Sequence, residues 1–142
     1  MQFEGPEGKM KKIEAIIRPV KFEDVKAALA DTNYGGITVT EVEGHGTQKG
    51  FTQVWHGREY KVDLLPKIKL EIVCPDKDAP KLVKAILKSA QTGQVGDGKI
   101  FVSDIGEAYR ISSGEEGEKV ISGIPASTPK EKQGVERLFI RR

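Results

Sequence analysis

The segment that constrains the fold most strongly is the run KIKLEIV at Lys67–Val73. Ile68, Leu70 and Ile72 alternate with polar residues, which is the pattern of a strand with one buried face. Pro75 ends the run, and apolar residues then return at helical spacing, in the order Ala79, Leu82, Val83, Ile86, Leu87 and Ala90. A strand followed directly by such a helix predicts a sheet with helices packed on one of its faces.

The remaining periodic segments complete an alternating order of strands and helices. We expect strands at Lys11–Arg18, Ile37–Glu43 and Lys99–Ile105, with Glu107–Ile111 as a candidate extension, and a helix at Phe22–Asp31. The resulting order predicts an α+β fold of the ferredoxin-like split βαβ type (βαββαβ), with two helices on one face of an antiparallel sheet. Ile16, Val42 and Val73 point to the opposite face, which favours an oligomer.

One long segment, Gly44–Lys67, interrupts this pattern. It has little periodicity and is too long for a hairpin turn, and a loop of this length in a small domain is commonly functional. We therefore predict a mobile loop with a glycine-rich root that holds a phosphate. Its tip is expected to contact a partner through Trp55, His56, Arg58 and Tyr60, since large aromatic residues are enriched at binding hot spots.

Composition argues against several classes of function. The 142 residues suffice for one domain, and 23 basic against 21 acidic residues give a net charge of only +2, so no field directs the chain to nucleic acid. No apolar run approaches the length of a membrane span, and the N-terminus lacks a signal-peptide pattern. The single Cys74 excludes an internal disulfide and suits a reducing compartment. We expect a cytoplasmic protein without membrane insertion.

Two glycine-rich loops resemble nucleotide motifs only in part. Gly44-x-Gly46-x3-Gly50 follows a strand, but its spacing is wrong for a dinucleotide fingerprint and no helix follows. Gly93-x4-Gly98-Lys99 resembles a P-loop, but Ile100 replaces the required Ser or Thr and the helix comes before the loop. Either loop alone is typical of a plain turn. Together, and with Lys49 and Lys99 beside them, they indicate an anion site.

The sequence contains no convincing catalytic set. His45 and His56 are the only histidines and have no cluster of further ligands, so we predict no metal site built from them. The carboxylates of Asp76, Asp78, Asp97 and Asp104 have the character of turn and cap residues. For Trp55 and Tyr60, folding back onto the domain remains the alternative to a partner surface.

Four motifs together are specific to one family. They are Thr38-Val39-Thr40-Glu41-Val42 leading into Gly44-x-Gly46-x-Gln48-Lys49-Gly50, then Gly57-x-Glu59-Tyr60-x-Val62-Asp63-x-Leu65-Pro66-Lys67, then Thr92-Gly93-x-x-Gly96-Asp97-Gly98-Lys99-Ile100-Phe101-Val102, then Arg110-Ile111-x-x-Gly114-Glu115. From about Met10 to Glu118 the chain closely resembles the PII signal-transduction proteins (GlnB and GlnK type), which are nitrogen regulatory proteins.

The resemblance implies a compact homotrimer with a ligand site in each of three clefts between subunits. The PII-like domain spans about 10–120, after a leader at 1–9 and before a tail at 121–142. The family's T-loop falls at about 45–63 and its B-loop at about 92–99. Its C-loop, contributed from the neighbouring chain, falls at about 110–120.

The resemblance also implies the ligands: ATP and ADP compete for each cleft, and 2-oxoglutarate is the effector. The nucleotide-binding positions carried over are Thr38, Gly44, His45, Gly46, Thr47, Gln48, Glu71, Val73, Gly96, Asp97, Gly98, Lys99 and Arg110. Those for 2-oxoglutarate are Gln48, Lys49, Gly50, Lys67 and Gly96. Mg²⁺ bridges ATP and 2-oxoglutarate, with the Gln48 side-chain oxygen as its protein ligand, in keeping with the preference of Mg²⁺ for few protein oxygens.

The implied output is a docking event. The conformation of the T-loop decides which partner binds: an ammonium transporter, a nitrogen-assimilation enzyme or a regulator. The only catalysis implied for the protein itself is weak ATP hydrolysis at most. Tyr60 matches the tyrosine that is uridylylated in many bacterial members. Thr47 and Ser112 replace arginines common in the family, which removes bidentate phosphate contacts. His56 replaces the loop-tip arginine of channel-plugging members, and Arg58 replaces a serine that some members phosphorylate.

Three alternatives stay open, and two of them belong to other classes of function. One is a divergent PII-like adenylate sensor with a different effector. Another is a small phosphate-handling enzyme on the same fold, such as an acylphosphatase-like hydrolase, for which Arg18-Pro19-Val20 is a poor phosphate loop. The third is RNA binding on the open sheet, which would need aromatic residues that KIKLEIV lacks.

Overall fold

The computed structural model describes residues 9–32, 34, 36–46 and 51–122. Within these ranges the elements are β1 (Met10–Ile17), α1 (Phe22–Ala30), β2 (Thr38–Gly44), β3 (Phe51–Trp55), β4 (Arg58–Val62), β5 (Leu65–Pro75), α2 (Ala79–Ala90) and β6 (Gly98–Ile105). Short 3-10 turns occupy Pro19–Lys21, Asp76–Asp78 and Glu118–Val120. No helix in the described part of the chain is long and apolar enough to cross a membrane.

The main sheet is antiparallel and has the strand order β2-β5-β1-β6. In its two central strands Ile13 lies opposite Ile72 and Ala15 opposite Leu70, so their apolar positions share one face. All four side chains are at most 1% exposed. The predicted α+β fold, an antiparallel sheet with two helices, is therefore confirmed, and so is the predicted alternation in β1.

Both helices pack on this face because each has an apolar stripe at helical spacing. Val25 and Leu29 of α1 and Leu82 and Ile86 of α2 belong to the same buried cluster as the strand residues. Burying a Leu or Ile side chain stabilises the fold by roughly 1.5–3 kcal/mol. This shared core fixes the positions of the strand ends from which the loops emerge.

The other face of the sheet, which we call the open face, carries the positions that alternate with the core. Ile16 pairs with Lys69 and Val42 with Lys67, and Val73 shares this face by strand alternation. Ile16, Val42 and Val73 are half-buried in the single chain. Their predicted placement opposite the helices is therefore correct.

The segment that the sequence assigns to a loop contains a β-hairpin. Strands β3 and β4 pair antiparallel from Phe51–Val62 at the open end to Trp55–Arg58 at the turn. His56 and Gly57 form the two-residue turn with φ of 52° and 73°, the positive values that a type I′ hairpin turn requires. The expectation of a loop without strand structure is wrong here, because a two-residue turn closes this hairpin.

After Ile105 the chain leaves the sheet, so the extension of the last strand over Glu107–Ile111 is wrong. This stretch instead forms a loop, in which Tyr109 makes an isolated bridge with Glu116. The backbone N–H of Arg110 donates to the Glu115 carbonyl at 2.8 Å, which closes the loop. The predicted leader, apart from Lys9, and residues 123–142 of the predicted tail lie outside the described residues.

Candidate functional site

Strand pairing brings the two glycine-rich loops to the same end of the sheet. Gly44 at the end of β2 lies opposite Leu65 at the start of β5, and Gly98 at the start of β6 lies opposite Ile17 at the end of β1. Between them is a cavity of about 300 Å³. It is lined by Ile16, Gly44, His45, Gly46, Leu65, Lys67, Gln94, Gly96, Asp97, Gly98, Lys99 and Phe101.

The loop between α2 and β6, residues 91–97, is organised by the carboxylate of Asp97. The backbone N–H groups of Thr92 and Gly93 each donate to Asp97 Oδ2 at 2.8 Å, and the Thr92 hydroxyl donates to Oδ1. These hydrogen bonds favour the charged form, with the Thr92 hydroxyl as the largest cause, and lower the pKa of Asp97 well below its ordinary value. Asp97 therefore has the turn role expected of it while also lining the cavity.

Gly98 is the point of closest approach between the loop and the sheet. Its φ is +106°, and a Cβ built there would lie 1.7 Å from the carbonyl oxygen of Ile16. No side chain can occupy that space without moving the backbone of β1 or β6. The glycine therefore allows the loop to enter β6 directly against β1.

Lys67 projects from the open face into the cavity, where its Nζ donates to the Gly96 carbonyl at 2.8 Å. Burial lowers the pKa of Lys67 below its ordinary value, and the positive charge of Arg18 lowers it further, while Asp97 opposes the shift. The contact ties the central strand β5 to the glycine-rich loop. Lys99 supplies a second cation to the same cavity and is exposed.

Sequence reasoning missed the role of Arg18. Its Nε donates to Asp97 Oδ1 at 2.9 Å and its Nη2 donates to the Val95 carbonyl at 2.7 Å. The side chain is 20% exposed and connects the end of β1 to the loop before β6. The contacts span 77 and 79 residues of sequence, so no local motif signals them.

The predicted ligand positions divide into four groups. The cavity brings together Gly44, His45, Gly46, Lys67, Gly96, Asp97, Gly98 and Lys99. Thr38, Glu71 and Val73 lie away from the cavity, on the open face that also carries Lys67. Arg110 lies in the loop after β6. Thr47, Gln48, Lys49 and Gly50 are outside the described residues.

On the open face, Thr38 lies opposite Glu71 in the β2–β5 pairing. Lys12 on the neighbouring strand is 2.8 Å from Glu71 in an ion pair. The hydrogen bond from Lys12 lowers the pKa of Glu71, and the same contact raises the pKa of Lys12. Glu71 is four residues beyond Lys67 on one strand face, a separation of roughly 13 Å at the rise of an extended chain.

Arg110 is paired within its own loop. Its Nε is 2.9 Å from Glu115 Oε1, and the Ser113 hydroxyl also donates to this carboxylate oxygen. The hydrogen bond from Arg110 is the main cause that lowers the pKa of Glu115. Ser112 and the fully exposed Ile111 lie between these partners.

The hairpin tip presents aromatic side chains to solvent. Trp55 is 65% exposed and Tyr60 is 43% exposed, so neither folds back into the core. The Trp55 ring contacts His56 edge-on at a centroid distance of 3.9 Å and lies 6.4 Å from the Tyr60 ring. Arg58 closes the turn opposite Trp55. The predicted contact residues therefore occupy one exposed end of the hairpin.

Comparisons with known proteins identify the family of this chain. The family model described as "Nitrogen regulatory protein P-II" matches residues 10–115. The chain is 54% identical over 112 residues to the nitrogen regulatory protein P-II of Pasteurella multocida, and 53% identical over the same length to that of Haemophilus influenzae. It is also 54% identical to nitrogen regulatory protein P-II 1 of Escherichia coli.

Each of these alignments covers 79% of this chain and the full length of the relative. The chain therefore belongs to the P-II family of nitrogen regulatory proteins, as the sequence motifs indicate. Members of this family are signal-transduction regulators.

Proposed function

We propose that the cavity between the two glycine-rich loops binds ATP and ADP in competition. The observation that carries this proposal is the convergence of Gly44–Gly46, Gly96–Lys99 and Lys67 on one cavity. Backbone N–H groups at glycines approach phosphate oxygens without a Cβ in the way, and two lysines add positive charge. The Thr47 side chain belongs to the same proposed set, although it lies outside the described residues.

The nucleoside is assigned to Thr38, Glu71 and Val73 on the open face. These residues share a strand face with Lys67, so one elongated ligand can extend from the cavity along β5. We propose that the protein is a homotrimer and that Arg110 of an adjacent subunit reaches this ligand. Half-buried apolar side chains on the open face support a subunit contact there.

The effector assigned to this site is 2-oxoglutarate. Lys67 supports this assignment because its ammonium group is partly desolvated inside the cavity. The attraction between an ammonium group and a carboxylate is stronger there than in bulk water. Gln48, Lys49, Gly50 and Gly96 are the other proposed contacts. Gly50 and its two predecessors come directly before β3, so a ligand bound there acts at the base of the hairpin.

Mg²⁺ fits this site as an ion whose oxygen ligands come mostly from the bound small molecules and water. In the described part of the chain no group of three His, Cys, Asp or Glu side chains is placed to hold a metal. An ion with few protein ligands must take most of its oxygens from phosphate, 2-oxoglutarate or water, as Mg²⁺ commonly does. The Gln48 side-chain oxygen is the proposed protein ligand, and the ion would neutralise phosphate charge.

The proposed output is regulation of a partner in the cytoplasm, with no chemistry beyond at most weak ATP hydrolysis. The candidate partners are an ammonium transporter, a nitrogen-assimilation enzyme or a regulator. The exposed Trp55, His56, Arg58 and Tyr60 supply an aromatic and basic contact surface on the hairpin. Tyr60 is also the proposed uridylylation site, and its partial exposure leaves the hydroxyl-bearing ring open to an enzyme.

The nucleotide site is tested by titrating ATP and ADP into the wild type and into Lys99→Gln. Lys99 lines the cavity, so its loss is expected to weaken both nucleotides about tenfold, the scale of one charge-assisted contact. Lys84→Gln is the matched control, because Lys84 is an exposed lysine of α2, on the opposite side of the sheet from the open face, and does not line the cavity. Equal affinities in both variants would place the phosphates elsewhere.

A further inference from the structure

Arg18 connects the sheet to the glycine-rich loop without facing the ligand cavity. It follows the last residue of β1 and precedes Pro19, and its backbone is extended at φ −66° and ψ 139°. The cavity wall, as the described residues form it, includes neighbouring Ile16 but not Arg18. The guanidinium group instead contacts the loop at Val95 and Asp97.

The two Arg18 contacts restrain different parts of the loop. The Asp97 carboxylate already accepts hydrogen bonds from Thr92 and Gly93, which close the loop into a turn. The contact of Arg18 with Asp97 therefore fixes this turn to the end of β1. The contact with the Val95 carbonyl restrains one peptide plane directly. A guanidinium group is suited to this task because its donors are held in one rigid plane.

The restrained peptide plane contains the N–H of Gly96. In a trans peptide the C=O and the following N–H point in opposite directions, so holding the Val95 carbonyl on Arg18 turns the Gly96 N–H away from the guanidinium. Lys67 restrains the next peptide plane through the Gly96 carbonyl at 2.8 Å. Both peptide planes of Gly96, a cavity residue, are thus held by cations from the sheet.

We infer that Arg18 is a positioning residue for phosphate binding, which orients the Gly96 region through Val95 and Asp97 without touching the ligand. This inference rests on the proposed nucleotide site. Gly96 has a positive φ of 102° and no side chain, so external contacts must select its conformation from the many open to glycine. A loop so oriented binds phosphate without first losing that freedom.

The test compares nucleotide affinity in the full-length wild type, Arg18→Gln and Arg18→Lys. Arg18→Gln is expected to weaken ATP binding roughly tenfold, the scale of one lost charge-assisted hydrogen bond. Arg18→Lys keeps the charge but cannot donate in two fixed directions, so it is expected to lose most of the same affinity. Lys11→Gln is the matched control. It removes a cation of β1 whose partner is Asp104, and neither residue lines the cavity.

Two further measurements separate positioning from general destabilisation. Amide hydrogen exchange at Gly96 is expected to be faster in Arg18→Gln without ligand, and unchanged in Lys11→Gln. Arg18→Gln is also expected to cost less ATP affinity in an Asp97→Asn background, because the two residues act through one contact.

Each outcome decides the inference. If Arg18→Lys binds ATP with wild-type affinity, Arg18 acts only as a distant charge. The same conclusion follows if Arg18→Gln and Asp97→Asn lower ATP affinity independently and amide exchange at Gly96 is unchanged in Arg18→Gln. Wild-type affinity in Arg18→Gln would overturn the positioning role and leave the nucleotide site standing. A wild-type protein that binds neither ATP nor ADP would overturn the proposed function, and the role of Arg18 with it.

Discussion

Replacing Gly98 with alanine should damage the fold far more than the same change at Gly93. Both glycines have positive φ: +106° at Gly98, the first residue of β6, and +87° at Gly93, in the loop before it. A left-handed conformation costs an L-residue about 1–2 kcal/mol at either position. The two positions differ in the space that a methyl group would enter, so Gly93→Ala is a control for the conformational cost alone.

The additional cost at Gly98 follows from the position of the Ile16 carbonyl. The new Cβ would lie 1.7 Å from that oxygen and 2.8 Å from the Ile16 carbonyl carbon, whereas at Gly93 nothing lies within 4 Å. Relieving the clash requires β1 and β6 to separate, at a cost comparable to overpacking a core, about 1–3 kcal/mol. The free energy of unfolding should therefore fall by about 2–5 kcal/mol in Gly98→Ala and by about 1–2 kcal/mol in Gly93→Ala.

Urea unfolding of the two variants and the wild type, at one fixed protein concentration, measures this difference. With a denaturant slope of about 2 kcal/mol per molar, the Gly98→Ala midpoint should fall below that of Gly93→Ala by about 0.5–1.5 M. The fixed concentration matters because association of subunits adds to apparent stability. Equal midpoints for the two variants would refute the argument that Gly98 is required by close approach of the strands.

Three other changes test separate parts of the account. Lys67→Met and Gln48→Ala should each abolish 2-oxoglutarate binding while some nucleotide binding remains, as measured by calorimetry; unchanged 2-oxoglutarate affinity in both would remove the effector assignment. The pKa of Asp97 is lowered by folding, so its contribution to stability is complete above the ordinary carboxyl pKa of about 3.9 and is lost as the pH falls below it. The stability gap between wild type and Asp97→Asn in urea should therefore narrow between pH 5 and pH 3, and a constant gap would contradict the role of the charged form. His56 adopts a φ of 52°, which Asn tolerates better, so His56→Asn should slow amide exchange in the hairpin and His56→Val should speed it; equal exchange rates in both variants would argue against the type I′ turn.

The core of the fold could be predicted because burial leaves a periodic signal in the sequence. Ile13 and Ala15 alternate with half-buried residues in β1, and Leu82 and Ile86 repeat at helical spacing in α2. The same reasoning failed for the hairpin, whose described strand side chains are exposed, so no alternation marks a buried face. The signal present there was the turn: His56-Gly57 between two runs of strand-forming residues is consistent with a two-residue hairpin.

The cavity residues could be predicted where the family motifs contain them, as at Lys67 and Gly98. The contacts that hold the glycine-rich loop at the cavity could not be predicted, because they join distant parts of the chain. In the sequence, Arg18 ends a predicted strand and begins Arg18-Pro19-Val20, a poor phosphate loop. Its partners Val95 and Asp97 are 77 and 79 residues away. Only the β1–β6 pairing brings them together.

The most direct test of the central claim is calorimetric titration of the full-length protein with 2-oxoglutarate in the presence of Mg-ATP, of Mg-ADP and of neither. The account predicts binding only with Mg-ATP, because the phosphates and the ion complete the effector site beside Lys67. Binding of nucleotide without any response to 2-oxoglutarate would contradict the account and indicate an adenylate sensor with a different effector.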